Sequence, residues 1–156
     1  MKIQIRKIIK EDIKDLKNVL GSIDLFPSEY LDEMINDYLD NQDSQDLWFT
    51  ATLDEAPISI GFCAPEKLTE GTYNLYAIGV KNDWQGKGIG KQMMAYLENE
   101  LVKINCRILI VETSGSDDLK LTRQFYKNLQ FDQEATIRDF WNEGEDKVVF
   151  WKKLNQ

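Results

Sequence analysis

A seven-residue segment combines the residue types that bind anionic groups through the backbone. It follows an apolar run, residues 73–80, precedes a helical pattern, and reads Gln85-Gly86-Lys87-Gly88-Ile89-Gly90-Lys91. Glycine permits a tight turn and lets a ligand approach the backbone closely. The free N–H groups and the positive dipole end of a helix N-terminus favour a phosphate group. The segment therefore predicts a phosphate-binding turn, to which Lys87 and Lys91 add positive charge.

Two nucleotide-binding motifs fit this segment poorly. The dinucleotide fingerprint G-x-G-x-x-G matches at Gly86 and Gly88, but Lys91 stands in the place of the third glycine. The P-loop pattern G-x-x-x-x-G-K-[ST] fails because neither glycine pair has its spacing and Gln92 follows Lys91. A nucleotide-phosphate-binding protein therefore remains a secondary hypothesis, which would require ATP or NAD to bind at this turn.

Histidine is absent from the chain, and its absence argues against several kinds of site. Ser-His-Asp and Cys-His mechanisms need an imidazole to carry the proton, and zinc sites commonly use it as a ligand. We therefore predict no metal site. The two cysteines, Cys63 and Cys106, lie far apart in apolar runs, whereas a disulfide scaffold uses more cysteines in a shorter chain. Both are predicted to be buried, reduced thiols.

Length and charge limit the class of protein. The chain has 156 residues, a usual size for one domain, and its 19 Lys and Arg against 27 Asp and Glu give a net charge of −8. A nucleic-acid partner is not expected, because that affinity comes largely from cations that replace phosphate counterions. No apolar run approaches the ~20 residues of a membrane span, and the N-terminus has no signal-peptide pattern. We expect one cytoplasmic domain over residues 1–156 that does not bind membranes.

Hydrophobic periodicity predicts the elements that position the turn. Strands are predicted where apolar residues alternate or run continuously, at residues 3–8, 47–53, 58–64, 73–80, 107–113, 135–140 and 147–154. Helices are predicted where apolar residues recur every three or four positions, at residues 13–20, from Ser28 as the N-cap to Tyr38, from Ile89 to Leu101, and at residues 119–129.

This order, β-α-α-β-β-β-α-β-α-β-β, predicts a mixed α+β fold. The strand, helix and strand between residues 73 and 113 are expected to form a parallel crossover, and such connections are right-handed. The short turns elsewhere indicate antiparallel hairpins. We expect one central, mixed and mostly antiparallel sheet with helices on both of its faces.

The spacing Gln85-x-x-Gly88-x-Gly90 on a strand-turn-helix resembles the acyl-CoA signature Q/R-x-x-G-x-G/A of the GCN5-related N-acetyltransferases, the GNAT family. Other segments look like further family elements: residues 75–80 and 107–113 like its fourth and fifth strands, residues 122–131 like its Y-x-x-x-G-F helix, and residues 138–154 like its closing hairpin. The resemblance covers most of the chain. It implies that the fourth and fifth strands splay apart to hold acetyl-CoA.

The resemblance implies that acetyl-CoA is the cosubstrate and that the acetyl group passes directly to an amine. Backbone groups at the strand end would pair with the pantetheine arm, and one N–H would polarise the thioester carbonyl; these residues are Ile78, Gly79 and Val80. Backbone N–H groups of the turn would hold the pyrophosphate, at Gln85, Gly86, Lys87, Gly88, Ile89, Gly90 and Lys91. No covalent enzyme intermediate is needed, because the amine attacks the thioester in a ternary complex.

The helix at residues 119–129 carries the candidate for the group that protonates the departing CoA thiolate. Tyr126 matches the family tyrosine that protonates the departing CoA thiolate. The helical spacing of Leu121, Phe125 and Leu129 predicts a core face that leaves Tyr126 turned away from it. Gln130 replaces the glycine that commonly follows such a helix.

The group that removes a proton from the acceptor is left open. An alkyl ammonium has a pKa of about 10, so a base must act near neutral pH. Many family members carry a glutamate at the position of Asn74, and an amide cannot serve as a base. The alternatives are Tyr76, which shares a strand face with Asn74, a water relay, and Glu112 near the end of the fifth strand. We take Glu112 and Tyr126 as the candidate catalytic side chains.

No motif identifies the acceptor. Residues 28–46 hold seven carboxylates and no Lys or Arg, and in this fold such a segment borders the acceptor entrance. Its charge would favour a cationic amine, either a small molecule or a peptide. The leading hypothesis is an acetyl-CoA-dependent N-acetyltransferase acting on a primary amine. The alternative is a catalytically silent acyl-CoA-binding or regulatory module on the same fold, and a homodimer is left open.

Overall fold

Eight strands form one mixed sheet in the computed structural model, which describes residues 2–154 and contains four α-helices. The strands are β1 (Ile3–Lys7), β2 (Leu47–Leu53), β3 (Ala56–Pro57), β4 (Ser59–Pro65), β5 (Thr72–Val80), β6 (Ile108–Ser114), β7 (Asp132–Asn142) and β8 (Glu145–Lys153). The helices are α1 (Ile13–Gly21), α2 (Leu31–Asp40), α3 (Ile89–Lys103) and α4 (Lys120–Asn128). Within residues 2–154, no helix has the length and apolar character needed to cross a membrane.

The predicted α+β class and the predicted element order are confirmed, with two local differences. Asp54 and Glu55 form a tight turn at φ angles of 48° and 77°, so the next two residues return to β2 as the additional strand β3. Ser28 opens a 3₁₀ turn, and α2 begins only at Leu31. Ser28 as the helix N-cap was therefore wrong, because a separate turn precedes the helix.

The described residues divide into two compact units. The first comprises the residues up to Ala64 together with Tyr76–Glu100, and the second comprises Pro65–Leu75 together with the residues from Leu101 onward. Strand β5 therefore contributes its first four residues to the second unit and its last five to the first.

β2 lies between β1 and β4 in the first unit. β1 pairs antiparallel with it from Ile3 opposite Leu53 to Lys7 opposite Phe49, and β4 pairs antiparallel with it as well. The helices α1 and α2 bury one face each, as their periodicity predicts. The resulting core consists of Ile8, Leu16, Val19, Leu20, Leu31, Ile35, Trp48 and Ile60.

The second unit contains a parallel strand pairing, between β5 and β6. Residues Thr72–Leu75 of β5 lie parallel to residues 108–111 of β6, which confirms the parallel crossover. β6 pairs antiparallel with β8 over seven residue pairs, and β8 pairs antiparallel with β7. β7 is longer than the predicted residues 135–140, and its pairing with β8 shifts register on either side of Ala135–Ile137.

Both cysteines are buried, as predicted. Burial raises the pKa of the Cys106 thiol above its ordinary value, and desolvation disfavours the thiolate in general. Cys106 is therefore a protonated core residue rather than a nucleophile.

A buried ion pair holds the entry into α1. Asp12 is 4% exposed and accepts two hydrogen bonds from the Arg6 guanidinium, at 2.7 and 2.9 Å. Its Oδ2 atom also accepts the backbone N–H of Ile9 at 2.9 Å. Bidentate contact and a backbone donor together satisfy the carboxylate, which a buried charge requires. These hydrogen bonds connect β1 to the turn that precedes α1.

We expect Asp12→Ala to lower the free energy of unfolding by about 2 kcal/mol, because a charge-assisted buried network is lost. Arg6 limits the cost, since its side chain is 27% exposed and can still reach water. Asp32→Ala is the matched control, because the Lys17–Asp32 pair is equally short at 2.6 Å but exposed. An exposed pair is worth less than about 1 kcal/mol. Urea unfolding at neutral pH measures both values, and equal losses would contradict the structural role of Asp12.

Candidate functional site

The predicted phosphate-binding turn lies at the end of β5, within the first unit. The Gln85 side chain donates from Nε2 to the carbonyl oxygen of Val80 at 2.9 Å. The backbone N–H of Lys81 donates to the carbonyl of Ile58 at 2.8 Å, which anchors the chain as it leaves the strand. A 3₁₀ turn at Asn82–Trp84 then leads into the glycines. The turn is therefore held to the strand end by both side-chain and backbone hydrogen bonds.

Two glycines of this turn adopt a backbone conformation that other residues rarely take. Gly86 and Gly88 have φ angles of +73° and +81°, and a Cβ on either would meet nothing within 4 Å. Their conformation requires glycine, while the space beside them is open. A group bound against the backbone here would occupy the volume that a side chain would otherwise fill. The two glycines thus form an open cradle beside the backbone.

The first turn of α3 supplies hydrogen-bond donors next to this space. The N–H of Gln92 donates to the carbonyl of Gly88 at 3.2 Å, the first bond of the helix. Ile89, Gly90 and Lys91 precede it, and the first N–H groups of a helix have no acceptor within the helix. Lys87 and Lys91 are exposed, and the Lys87 ammonium lies 5.9 Å from the centroid of the Trp84 ring. Backbone donors and two exposed lysines therefore belong to the same segment as the cradle.

The loop between α1 and α2 covers β5 beside the turn. A Cβ on Gly79 would lie 2.5 Å from Cδ1 of Ile23 and 3.2 Å from Cδ2 of Leu25. The Oγ atom of Ser22 accepts the backbone N–H of Asn82 at 3.2 Å. The loop is thus held against the strand end, and only glycine leaves room for it at position 79. Ile78 and Val80, on either side, are half-buried.

Tyr126 lies in the core of the second unit, which contradicts the predicted orientation of α4. Its side chain is 3% exposed, whereas Leu121 is 85% exposed. The Tyr126 ring contacts the rings of Phe125, Phe131 and Phe150, with centroids 5.2, 5.6 and 5.5 Å away. Aromatic rings bury more area than the aliphatic side chains of this helix. Their packing therefore sets the buried face, and the predicted core face of Leu121, Phe125 and Leu129 was wrong.

Gln130 closes α4 without the glycine that such a position favours. It takes a φ of +70°, and the N–H of Phe131 donates to the carbonyl of Tyr126 at 3.1 Å. The N–H of Gln130 donates to the carbonyl of Lys127 at 3.1 Å. This is a left-handed helix cap of the kind that glycine usually forms, at a backbone cost of about 1 kcal/mol. With this cap, the Phe131 ring still packs against the Tyr126 ring.

Burial favours the protonated form of Tyr126 further. Desolvation raises the pKa of its phenol far above the ordinary value, because the phenolate loses its hydration. The phenol is therefore protonated at neutral pH. In this state it can donate a proton and cannot act as a base.

Glu112 occupies a different environment in the same unit. Its Oε2 atom lies 2.8 Å from the Lys147 ammonium, whose side chain is 12% exposed. The same ammonium lies 4.1 Å from the centroid of the Phe140 ring. The candidate base is thus part of an ion pair.

A contact that sequence reasoning missed connects Asn74 to a carboxylate. Asn74 is 2% exposed, and its Nδ2 atom donates to Oε1 of Glu66 at 2.9 Å. Glu66 follows β4 in a stretch that was predicted only as a loop. No periodicity marks it, because the contact depends on how the end of β4 faces β5. The structure thus places a carboxylate beside the amide that replaces the expected glutamate.

The acidic segment predicted at residues 28–46 belongs to the first unit. One of its carboxylates, Asp32, is paired with Lys17, and burial raises the pKa of another, Asp46. The end of α1 and the loop that follows it surround an open cavity of about 410 Å³, whose rim includes Asp24 and Glu29. Carboxylates therefore border this cavity.

A model of the acetyltransferase (GNAT) domain matches residues 44–133 of the chain. The matched residues are more than half of the chain and include the glycine turn and Tyr126. An uncharacterized N-acetyltransferase of Methanocaldococcus jannaschii is 29% identical over 84 residues, which are 53% of this chain and 53% of that protein. The match thus spans about half the length of this curated relative.

Two solved structures give the extent of the structural likeness. A protein of Desulfovibrio desulfuricans, described as a GNAT-family acetyltransferase, superposes with a TM-score of 0.91 at 25% identity, over 99% of this chain and 100% of that chain. An aminoglycoside 6′-N-acetyltransferase complexed with coenzyme A superposes with a TM-score of 0.74 at 11% identity, over 98% of each chain. At that identity the second likeness shows a shared fold alone.

Proposed function

The chain belongs to the GNAT family of acetyltransferases, and from this premise we propose that it is an acetyl-CoA-dependent N-acetyltransferase whose domain spans residues 1–156. The observation that carries the proposal is the turn after β5. Gly86 and Gly88 leave an open cradle there at positive φ angles, next to the first N–H groups of α3. This arrangement supports binding of the coenzyme A pyrophosphate.

The proposed reaction is a direct transfer in a ternary complex. A backbone N–H among Ile78, Gly79 and Val80 would donate to the thioester carbonyl and stabilise the oxyanion. The acceptor nitrogen attacks the carbonyl carbon, the carbon–sulfur bond breaks, and the CoA thiolate takes a proton from Tyr126. The resemblance to the family carries this role for Tyr126. Its buried phenol has a raised pKa and is a weaker acid than a free tyrosine, so the proton transfer to the thiolate is uphill in free energy.

The base that deprotonates the acceptor remains a proposal with several candidates. Glu112 stays among them, but it would have to act from within its ion pair with Lys147. Tyr76, which is half-exposed, is a second candidate base. A water relay is a third, and it needs no side chain to take the proton. The carboxylate of Glu66, which Asn74 holds, is an additional candidate that only the structure suggests.

The alternative function is a silent acyl-CoA-binding or regulatory module. Asn74 favours it, since an amide stands where many family members carry a base. Acetylation of a panel of amines, read by mass spectrometry, separates the two functions. Acetyl-CoA binding without any turnover would support the silent module, and turnover of any amine supports the enzyme.

We expect Gly88→Val to weaken acetyl-CoA binding by at least about tenfold from a micromolar-range dissociation constant. The branched side chain would fill the space proposed for the pyrophosphate. Gly144→Val in the β7–β8 turn is the matched control, because Gly144 also has a φ of +81° and open space around its Cβ position. Calorimetry measures the affinity and circular dichroism checks folding. Two folded variants that bind alike would remove the turn from the cofactor site.

We expect Tyr126→Phe to lower kcat by roughly 10- to 10⁴-fold and to leave acetyl-CoA affinity nearly unchanged. Phenylalanine keeps the ring packing and removes only the proton donor. Tyr96→Phe is the control, since burial also raises the pKa of this half-buried helical tyrosine, to about 12. Steady-state kinetics at saturating substrates give kcat. Wild-type kcat in Tyr126→Phe would show that the phenol only packs or that thiolate departure does not limit the rate.

The proposed acceptor is a primary amine of positive charge. Seven carboxylates lie in residues 28–46 without a Lys or Arg, and Asp24 and Glu29 border the cavity after α1. Clustered charge of one sign raises the local concentration of counter-ions. Polyamines, basic side chains and amino sugars fit this description.

We expect the KM for the best cationic acceptor to rise with ionic strength, because salt screens the attraction of exposed carboxylates. The measurement is initial velocity against acceptor concentration at low and high salt. The KM for acetyl-CoA in the same titration controls for general salt effects. A neutral or acidic amine as the best acceptor, with a KM independent of salt, would contradict the proposal.

A further inference from the structure

The contact between the α1–α2 loop and β5 bears on which acyl group the site accepts. Ile23 and Leu25 lie directly over Gly79, with methyl carbons 2.5 and 3.2 Å from the position of its Cβ. Gly79 is the middle residue of the segment assigned to the thioester. The loop therefore supplies apolar side chains at the point where the acyl group would be held.

We infer that Ile23 and Leu25 form a wall that limits the acyl chain to acetyl, an inference that rests on the proposed function. The Cβ position is two bonds from the nitrogen of Gly79, and an N–H donor lies about 3 Å from the carbonyl oxygen it binds. Apolar groups are in contact at about 4 Å. An acyl group that is held at this backbone and extends over the face of β5 on which Ile23 lies would touch Ile23, and each methylene added on that face would meet the wall.

Packing holds the wall in place. Ile23 and Leu25 are both packed against the core cluster of the first unit. The N–H of Ile23 donates to the carbonyl of Leu20 at 3.4 Å, and the Ser22 hydroxyl accepts the N–H of Asn82. A longer acyl chain would have to displace side chains that are already in contact with the core. One methylene in a closely fitting apolar pocket changes the specificity constant by about 10- to 200-fold.

The experiment compares acetyl-, propionyl- and butyryl-CoA with the wild type, Ile23→Ala and Leu25→Ala. One amine acceptor, chosen from the mass-spectrometry panel, is kept constant. Calorimetric dissociation constants for the three thioesters give a second readout that does not depend on turnover. Ile13→Ala is the matched control, because Ile13 is also partly buried against the core cluster but lies at the far end of α1.

We expect the wild type to prefer acetyl over butyryl by at least about tenfold in kcat/KM. Ile23→Ala and Leu25→Ala should each reduce this preference by about tenfold or more, and Ile13→Ala should leave it within about twofold. If an alanine variant does not fold, Ile23→Val takes its place. We expect it to shift the acyl preference in the same direction by a smaller factor.

Three other outcomes would each contradict the inference, and the measurements distinguish them. Folded variants that bind acetyl-CoA and keep the wild-type acyl preference would show that the loop does not touch the acyl group. A change confined to the KM of the amine would assign the loop to the acceptor instead. A wild-type protein that binds none of the thioesters would overturn the proposed function, and this inference with it.

Discussion

The path of the backbone as it leaves β5 is the constraint on which the candidate site depends. Val80 accepts the Gln85 side chain, and Lys81 donates to Ile58, so the chain is held where the strand stops and the turn begins. Binding by main-chain N–H groups requires that several amides point to one place. The left-handed glycines that follow make this possible without any specialised side chain. The absence of histidine from the chain is therefore no obstacle to the proposed chemistry.

Side chains in this protein act mainly by occupying or excluding space. Ile23 and Leu25 fill the volume that Gly79 leaves empty, and the loop is held to the strand by Ser22. In the second unit, aromatic neighbours exclude water from Tyr126, and desolvation alone raises its pKa. Both effects come from packing rather than from charged partners.

Sequence patterns predicted the structure correctly where a backbone conformation depends on one residue type, such as glycine. They also did so where the helical period defines the buried face of a helix. The turn at residues 85–91, the apolar faces of α1 and α2, and the parallel crossover follow from such patterns. The face of α4 did not, because Leu121 satisfies the helical period yet is exposed. Phe131 and Phe150 follow this helix in the chain and pack on Tyr126, and helical periodicity does not include them. Gln130 likewise takes a left-handed conformation that its residue type does not favour.

The amino-acid sequence by itself determined the order of the elements, the glycine turn at residues 85–91, the burial of both cysteines and the family to which the chain belongs. These depend on residues that are close in the chain and on the conformations that each residue permits. The tertiary structure decided three contacts: Glu66 with Asn74, Glu112 with Lys147, and Ile23 with Gly79. Each joins side chains or backbone from different elements, up to 56 positions apart in the last case. Such contacts arise only when strands and loops pack in three dimensions, and no spacing along the chain specifies them.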